Sequence, residues 1–476
     1  MNVVDLVRDM ARARPDAPAL LIAQEEGKAD QPVSYASLVR RFEGIEQRLR
    51  SHGVAEGDRC GLIARQGLPF VEAALGILAA GGCLAPIPED TAQRAQVAHC
   101  AEAHLQHLVE QRGDLVVTRV PGCTPVDGQG DQAFRALHPA YLRFTSGTTH
   151  QRKGVILGHA AIRARLENAN QGLAIGPEDR VMWLLPMAHH FVVSILLYLS
   201  RGACVCLPTS SLARPVLALA QRAESTVFYA SPFHYNLLAK DTSEGALRTL
   251  RLAVSTAEGL RPGVAEAFRA RFGHPLVQAL GIIEVGLPVM NLVSAGSKPL
   301  ALGRPQPGYE VWLRGEDGKP LARTRPAQTG EICIRGTGML DAYLDPWTPA
   351  REVLEPDGFR TGDQGWFDED GDLHLAGRRA NRINLAGMKF FCEEVEAVLE
   401  EHPGVRRSRV SARCHPHLGD IPVAEIEAMD PAVPPPRAEL IALCRERLAA
   451  YKIPREFTFV ATLPTTPSGK VVRWED

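Results

Sequence analysis

The chain alternates two hydrophobic patterns up to about residue 300. Residues 38–53, LVRRFEGIEQRLRSHG, and 69–82, PFVEAALGILAAGG, carry apolar side chains at helical spacing, and glycines predict where both helices stop. Short apolar runs lie at residues 59–64 and 83–88. The same rhythm recurs from residue 179 to residue 281. Alternating strands and helices predict parallel sheets that are covered by helices on both faces.

The pattern changes near residue 300. Glycine and proline become frequent, and turn pairs such as Asp317-Gly318 separate short apolar runs, which predicts a small antiparallel sheet or barrel over about 295–376. From about residue 380 onward the pattern predicts a separate α+β domain on a short hinge. Its expected helices and strands lie at 392–402, 408–412, 422–428, 438–451 and 456–460.

Composition places the chain among ordinary globular proteins. Its 476 residues exceed what one hydrophobic core organises, so at least two domains are expected. The net charge of −2 gives no reason to expect a nucleic-acid partner. The longest apolar stretch, residues 191–199, is far shorter than a membrane span of roughly 20 residues, and the N-terminus has no apolar signal segment, so we expect a cytoplasmic protein without a membrane span. Ten scattered cysteines predict reduced thiols.

Residues 145–154, TSGTTHQRKG, have the composition of a phosphate-binding loop. Glycines let backbone N–H groups approach an anion, hydroxyl groups donate hydrogen bonds, and a lysine adds a point charge. The segment differs from a Walker loop, because Lys153 is followed by glycine. A polar loop between strands explains one such segment more simply, so its companions along the chain decide. The candidate residues are Thr145, Ser146, Gly147, Thr148, Thr149 and Lys153.

Segments along nearly the whole chain resemble, in order, those of the superfamily of AMP-forming adenylating enzymes. This superfamily contains acyl- and aryl-CoA synthetases, adenylation domains of peptide synthetases and firefly luciferase. The resemblance implies a large N-terminal domain, residues 1–379, of two doubly wound α/β subdomains plus a small β-barrel-like subdomain, followed by a small mobile α+β lid domain, residues 380–476. The segments are 74–87, 145–154, 185–191, 279–286, 360–378, 383–399 and 463–473.

The resemblance also implies a chemistry. In these enzymes a carboxylate attacks the α-phosphorus of ATP, which yields acyl-AMP and pyrophosphate, and a thiol then takes the acyl group. ATP and Mg²⁺ are the implied cofactors, and the acceptor is either coenzyme A or the phosphopantetheine arm of a separate acyl carrier protein. The nucleotide-binding residues carried over are Thr145, Ser146, Gly147, Thr148, Thr149, Lys153, Thr256, Ala257, Glu258, Gly281, Glu284, Asp363, Arg378 and Lys470.

Five charged residues take specific roles under this resemblance. Lys153 would hold the β- and γ-phosphates, and Glu284 would bind Mg²⁺, a hard ion that prefers carboxylate oxygen. Asp363 would accept hydrogen bonds from the ribose hydroxyls, and Arg378 would support the same ribose from the hinge. Lys470, on the lid, would bridge the acid carboxylate and the α-phosphate and so offset the repulsion between two anions.

The acid pocket is implied by segment 185–191 and its continuation, through His189, His190, Val192 and Val193. His189 would lie beside the acyl carboxylate, although a core histidine in a loop is the simpler alternative. Relatives that activate amino acids place an aspartate near Val192, and an ammonium buried here without a partner would be strongly disfavoured. The sequence therefore argues against an α-amino acid and leaves a hydrophobic acid, either aryl or fatty acyl.

Several residues depart from the family pattern. His150 interrupts the glycine loop, Leu280 stands where an aromatic ring packs on adenine, Ile283 replaces a threonine, Ala380 replaces a hinge aspartate, and STAEGL at 255–260 replaces a Gly-Gly-containing loop. Because the five charged residues are present, we expect an active enzyme. A non-catalytic paralogue that binds nucleotide or acyl-adenylate as a partner or sensor subunit stays open, as does a luciferase-type oxygenase.

Cys100, His104 and His107 form an unrelated candidate site. Their spacing would place them on one face of a helix, where they would serve as zinc ligands. Helix composition alone also explains them. The segment CHPH at 414–417 is a weaker candidate of the same kind.

Overall fold

The protein is a mixed α/β structure with a separate C-terminal domain. Two large sheets and the helices around them form the N-terminal part, followed by a small antiparallel sheet. None of the helices in the described part of the chain combines the length and apolar character that a membrane crossing needs. The computed structural model describes residues 1–25, 28–121, 128–145, 153–321, 328–354, 356, 358–385, 388–415, 419–465 and 471–473.

The first large sheet has nine strands. Its six central strands are parallel, and antiparallel strands close both edges. Cys204–Leu207 is buried on every residue, as expected for a strand that is covered on both faces. From edge to edge the strands are Arg304–Pro305, Gly286–Met290, Val277–Ile282, Leu252–Ser255, Val227–Ala230, Arg180–Trp183, Cys204–Leu207, Pro18–Ile22 and Gln31–Ser34.

The second large sheet has eight strands and combines parallel central strands with antiparallel edges. Arg59–Ala64 lies in its middle and is fully buried, as its apolar run predicts. From edge to edge the strands are Thr348–Pro349, Ala342–Tyr343, Gly154–Gly158, Pro139–Phe144, Cys83–Pro86, Arg59–Ala64, His107–Gln111 and Leu115–Arg119.

Helices fill the space between and around these sheets. His159–Leu173 contacts the strand Gly154–Gly158 of one sheet and Gly286–Met290 of the other, so it lies between them. Leu68–Ala79 is buried from Phe70 onward, as expected for a helix whose own side chains are apolar on nearly all faces. The helices of the N-terminal part are Asp5–Ala13, Tyr35–Ser51, Leu68–Ala79, Gln93–Glu102, Gly128–Ala136, His159–Leu173, Met187–His190, the π-helix Phe191–Ile195, Leu196–Ser200, Ala213–Arg222, Pro232–Lys240, Pro262–Phe272 and Ala350–Leu354.

A small antiparallel sheet follows, as the change of pattern near residue 300 predicts. It is an open sheet of four strands. Its inner face, with Leu313, Ile332 and Ile334, shares a hydrophobic cluster with Val285 and Val289 from the nine-stranded sheet, so the two sheets pack together. The strands are Tyr309–Arg314, Gly330–Gly336, Phe359–Phe367 and Leu373–Arg378.

The C-terminal domain has a hydrophobic core of its own, built from residues 383–444 and a few partly buried neighbours. Its sheet has five strands. The division of the chain at residues 379 and 380 stays a prediction. The elements are the short helix Arg379–Asn381, the strands Arg382–Leu385, Met388–Phe391, Val405–His415, Gly419–Ala428 and Glu456–Val460, the helices Cys392–Leu399 and Arg437–Arg447, and the short helix Ala450–Lys452.

The edges of the large sheets differ from the parallel arrangement that the alternating pattern predicts. His107–Gln111 and Leu115–Arg119 are antiparallel, because the short connection between them leaves no room for the crossover that parallel neighbours require. Pro18–Ile22 pairs with Cys204–Leu207, which is distant in sequence. Such long-range pairing leaves no mark in local hydrophobic periodicity.

Gly303 comes just before Arg304–Pro305, the edge strand of the nine-stranded sheet, and forms a β-bridge with Leu373 of the four-stranded sheet. Its φ is +91°, and an added Cβ would come within 2.3 Å of the Asn291 Cα atom. We expect Gly303→Ala to lower the free energy of unfolding by about 3 kcal/mol or more, since both backbone conformation and space exclude a side chain. Unfolding midpoints in urea, followed by circular dichroism, measure this effect.

Gly371→Ala is the matched control. Gly371 has a φ of +82° but no heavy atom within 4 Å of an added Cβ, so only the backbone conformation resists substitution. Its expected cost is about 1 kcal/mol. Equal destabilisation by the two substitutions would contradict the close packing at Gly303.

Candidate active site

A cleft of 3810 Å³ opens where the three sheets of the N-terminal part meet the C-terminal domain. Val192 was predicted to line the acid pocket, but this prediction is wrong, because its side chain is 1% exposed and packs in the hydrophobic core. Ser146, Gly147, Thr148, Thr149, His150 and Lys470 lie outside the described residues. The predicted site residues that line the cleft are Thr145, Lys153, His189, His190, Val193, Thr256, Ala257, Glu258, Gly281, Glu284, Asp363 and Arg378.

Thr145 and Lys153 lie at the ends of two antiparallel strands that enter and leave the phosphate-loop segment. Phe144 pairs with Gly154 in register, and the Thr145 N–H donates to the Lys153 carbonyl at 2.9 Å. The Lys153 ammonium lies 4.7 Å from the ring centre of Tyr343. Within the described part of the chain, no carboxylate approaches Lys153 within 4.0 Å, so its charge is available to an anion in the cleft.

Tyr343 also holds the carboxylate of Glu284. Its hydroxyl donates to Glu284 Oε1 at 3.1 Å, and the glutamate is largely buried. Burial, and then the adjacent Glu284 charge, raise the pKa of Tyr343, so the phenol keeps its proton and stays a donor. Sequence reasoning missed Tyr343, because its place beside Val155 depends on the pairing of two strands that are distant in the chain.

Arg165 holds the backbone on which Glu284 stands. It is 4% exposed and donates to the carbonyl groups of Ile283 at 2.7 Å and Glu284 at 2.9 Å. Its Nε donates to the carbonyl of Gly338. Burial lowers the pKa of Arg165 to about 10, and nearby anionic groups oppose that shift. Sequence reasoning missed this residue too, although it falls at the spacing of the buried face of the helix His159–Leu173.

Asp363 and Arg378 face each other on neighbouring antiparallel strands. Arg378 Nε donates to Asp363 Oδ1 at 3.1 Å. The Asp363 side chain is 12% exposed and that of Arg378 is 45% exposed, so the aspartate lies at the wall of the cleft and the guanidinium reaches into it. The Asp363 N–H donates to Thr361 Oγ1 at 3.0 Å, which fixes the turn at this position.

The segment STAEGL forms the wall after the strand Leu252–Ser255. Thr256 is buried, and its hydroxyl donates to the Ala279 carbonyl at 3.1 Å. Ala257 has a φ of +75°, in the left-handed region that favours glycine. The alanine therefore adopts the conformation of a glycine-containing loop, at a cost of about 1 kcal/mol.

The segment that predicts an acid pocket contains a π-helix. The helix Met187–His190 continues into the π-helical residues Phe191–Ile195. Such π-helical turns are rare in proteins, and those that occur are often at functional sites. The π-turn leaves Val193 on the cleft wall, while Val192 faces the core. Tyr229 lines the cleft and stacks on Trp183 with ring centres 5.5 Å apart, which gives this end of the cleft an aromatic wall.

The C-terminal domain faces the cleft with the helix Cys392–Leu399 and residues 471–473. Arg473 forms a two-pronged ion pair with Glu396 and also reaches Glu393 at 3.4 Å. Burial raises the pKa of Glu396 to about 7, and the charge of Arg473 opposes that shift. The residues that follow Lys470 are thus anchored on this helix.

Among the described residues, ion pairs of Arg261 and of Glu316 join the C-terminal domain to the rest of the protein. Arg261, at the start of the helix Pro262–Phe272, pairs with Glu400 at 2.9 Å. Glu316 accepts from Lys389 at 2.8 Å, and from Arg382. These contacts hold the C-terminal domain across the cleft.

Three acidic side chains form the only potential metal-ligand group within the described ranges: Asp368, Asp370 and Asp372. The ammonium of Lys298 lies 2.7 Å from Asp368 and also pairs with Asp370 and Asp372. Lys298 and Arg304 pair with these carboxylates, and the backbone N–H groups of Asp370 and Asp372 donate to Asp368 Oδ1, so protein groups already occupy the cluster and support a turn.

The zinc hypothesis for Cys100, His104 and His107 is wrong. The helix Gln93–Glu102 ends before His104, which has a φ of +48°, and His107 begins a strand. The three side chains therefore do not share a helix face. Of the segment 414–417, Cys414 and His415 end a strand, and residues 416–417 lie outside the described residues.

Comparisons with known proteins match nearly the whole chain. The family model described as AMP-binding enzyme matches residues 7–344, and the one described as AMP-binding enzyme C-terminal domain matches residues 394–470. Sulfoacetate–CoA ligase of Cupriavidus necator is 29% identical over 98% of this chain and 96% of its own. The fatty acid–acyl-carrier-protein ligase ScoC of Streptomyces coeruleorubidus is 27% identical over 98% of this chain and 94% of its own. O-succinylbenzoate coenzyme A synthetase from Bacillus subtilis, solved with AMP, superposes with a TM-score of 0.83 at 22% identity, over 98% of this chain and 97% of that chain.

Arg165→Met should destabilise the N-terminal part strongly. The substitution removes three hydrogen bonds from a charged donor, and each is worth about 1.5–3 kcal/mol, although the Glu284 carbonyl keeps the Leu340 N–H at 2.7 Å. We expect the midpoint of thermal unfolding to fall by well over 5 °C, or by roughly 2–4 °C for each kcal/mol lost. Differential scanning calorimetry measures the midpoint.

Arg163→Met, on the same helix, provides the control. Its side chain is 38% exposed and lies 3.9 Å from Glu167, so little stability depends on it. An unfolding midpoint for Arg165→Met as high as that of Arg163→Met would show that the buried guanidinium does not hold the Glu284 turn.

Proposed function

Because the chain belongs to the AMP-binding enzymes and is an AMP-forming acid–thiol ligase, we propose that it activates a hydrophobic carboxylic acid, either aryl or fatty acyl. Such a ligase joins the acid to AMP with release of pyrophosphate and then transfers the acyl group to a thiol. The acceptor in this proposal is coenzyme A or the phosphopantetheine arm of a separate carrier protein. Relatives of both kinds support these alternatives.

One observation carries the proposal. Lys153, Glu284, Asp363 and Arg378 come from distant parts of the sequence and line a single cleft. Cations such as these pair with phosphates, and carboxylates bind a metal ion or accept hydrogen bonds from ribose hydroxyls. A fold alone does not assign a function, but this charge arrangement suits a nucleotide.

The nucleotide contacts follow from the chemistry of each side chain. Lys153 attracts the phosphates, because its ammonium lies over an aromatic ring and no carboxylate of the described residues lies within 4.0 Å of it. Asp363 suits the ribose hydroxyls, since a carboxylate accepts hydrogen bonds and this one lines the cleft beside Arg378. Thr145 adds a hydroxyl donor at the start of the phosphate segment.

Glu284 suits Mg²⁺. Tyr343 donates to one of its carboxylate oxygens, which leaves the second oxygen for a metal ion. Mg²⁺ commonly binds through one or two carboxylates together with phosphate oxygens and water, and when bound it supplies charge that neutralises the phosphates. Arg165 contributes by holding the backbone carbonyl groups of Ile283 and Glu284.

The acid lies, in this proposal, between His189 and the wall formed by Val193 and Tyr229. All three line the cleft, and Tyr229 is almost wholly buried. An apolar tail or aromatic ring gains from contact with such a wall. The α-ammonium of an amino acid would lose its water there without gaining a carboxylate from Val193.

Lys470 completes the proposal as the residue that brings the acid carboxylate and the α-phosphate together. The segment after it is pinned, because Arg409 donates to the Val472 carbonyl at 2.8 Å and Arg473 pairs with Glu396. Rotation of the lid about residues 378–381 would withdraw Lys470 for the second half-reaction.

A non-catalytic paralogue that binds nucleotide is the second candidate. Leu280 and Ile283 favour it, since both line the cleft where related enzymes use an aromatic ring and a threonine. The loss of one neutral hydrogen bond costs only about 1 kcal/mol, which is small beside the contributions of the charged residues.

Mass spectrometry of acyl-AMP, formed from ATP and a library of acids, tests the proposed substrate class. We expect adenylates of fatty or aryl acids, and at least about 100-fold less adenylate from α-amino acids, because their ammonium group would be buried unpaired. A preference for α-amino acids would contradict the proposal. Silence over the whole library, together with AMP binding, would favour the non-catalytic paralogue.

Lys470→Ala tests the role of the lid. We expect acyl-AMP formation to fall by about 100-fold or more, because the charge between two anions is removed, while AMP binds as before. Lys452→Ala is the control, since that lysine lies in the same domain and pairs with Glu394. Equal rates of pyrophosphate exchange for Lys470→Ala and the unmodified protein would contradict this role.

A further inference from the structure

Arg143 lines the cleft but has no part in the nucleotide and acid contacts proposed so far. It lies in the strand Pro139–Phe144, two residues before Thr145, and lines the cleft together with His189. Its Nη1 donates to the His189 carbonyl. The guanidinium therefore connects the strand that leads into the phosphate segment with the helix that leads into the acid pocket.

The charge of Arg143 lacks a carboxylate within 4.0 Å among the residues that the structure describes. Its Nε is buried without a hydrogen-bond acceptor. Two other arginines of the same cleft do pair with carboxylates: Arg378 lies 3.1 Å from Asp363, and Arg261 lies 2.9 Å from Glu400. An arginine whose near neighbours are a carbonyl and a neutral phenol, here those of His189 and Tyr141, keeps its charge and further N–H donors for an anion.

Arg143 also belongs to a group of cations. Lys153 and Arg165 line the same cleft, and for them too no carboxylate lies within 4.0 Å in the described part of the chain. The buried phenol of Tyr141 lies near both arginines, whose charges oppose the rise in its pKa that burial causes. Like charges gathered in a partly buried cleft repel each other, and a bound anion offsets that repulsion.

We propose that Arg143 binds an anionic oxygen of a substrate in the space between Thr145 and His189. This inference rests on the proposed function, which brings two anions, the nucleotide phosphates and the acid carboxylate, into this part of the cleft. Phosphate and carboxylate oxygens share the chemistry that a planar guanidinium recognises, namely two acceptors for parallel N–H donors. Arg143 thus supplies a fixed cation from the N-terminal part, in addition to the cation that the lid brings.

Isothermal titration calorimetry on the full chain distinguishes the two sources of the anion. The ligands are AMP, inorganic pyrophosphate and an acid that the unmodified protein adenylates. Arg143→Gln loses the charge but keeps an N–H group for the His189 carbonyl, whereas Arg143→Lys keeps the charge. Arg214→Gln is the control for the loss of one charge, because that side chain is 77% exposed.

We expect Arg143→Gln to weaken binding of at least one ligand by about tenfold or more, and Arg143→Lys to recover most of that loss. Weaker AMP or pyrophosphate binding identifies a phosphate oxygen, and weaker acid binding identifies the carboxylate. Arg214→Gln should bind all three ligands as the unmodified protein does.

Binding of all three ligands to Arg143→Gln within about twofold of the unmodified protein would overturn the inference, because a neutral donor would then suffice. Circular dichroism checks that Arg143→Gln folds. If it does not, the same titrations are made with Arg143→Met, which removes the charge and the N–H donors together. If the unmodified protein binds neither AMP nor any acid, the proposed function itself fails and this inference fails with it.

Discussion

A buried guanidinium that pairs with carbonyl oxygens, rather than with a carboxylate, is the interaction on which the cleft depends. Arg165 extends from a helix between the two large sheets and holds the turn at Ile283 and Glu284 together with the carbonyl of Gly338. Three separate parts of the chain are thereby fixed around one charge. Because the carbonyl groups do not neutralise that charge, its field extends into the cleft.

The charged side chains of the two domains differ in how they are paired. In the C-terminal domain, Arg473 pairs with Glu396 and holds residues 471–473 on the helix Cys392–Leu399. On the opposite wall, the Lys153 ammonium lies over the ring of Tyr343, and the Tyr343 hydroxyl orients Glu284. Adenylation develops charge on phosphate and carboxylate oxygens, and cations on the cleft wall, such as that of Lys153, suit that charge.

Local patterns predict the parts of the structure that depend on neighbours in sequence. Arg59–Ala64 matches its apolar run residue for residue, and Lys153, Glu284, Asp363 and Arg378 line one cleft, while Lys470 lies outside the described residues. Tyr343 and Arg165 were missed, because their roles arise from strand pairing and from a helix packed between two sheets. Both Val192 and Val193 were predicted in the acid pocket, but only Val193 lines the cleft. The π-turn shifts the helical period on which the prediction depends, and Val192 therefore faces the core.

The central claim is that an oxygen of the acid becomes bonded to the α-phosphorus of ATP. Activation of an acid labelled with oxygen-18 in its carboxylate, followed by transfer to coenzyme A or to a phosphopantetheine thiol, tests it directly. Cleavage of acyl-AMP by the thiol leaves the bridging oxygen on phosphorus, so mass spectrometry should find one labelled oxygen in AMP. Label in inorganic phosphate together with ADP, or AMP without label, would contradict the account.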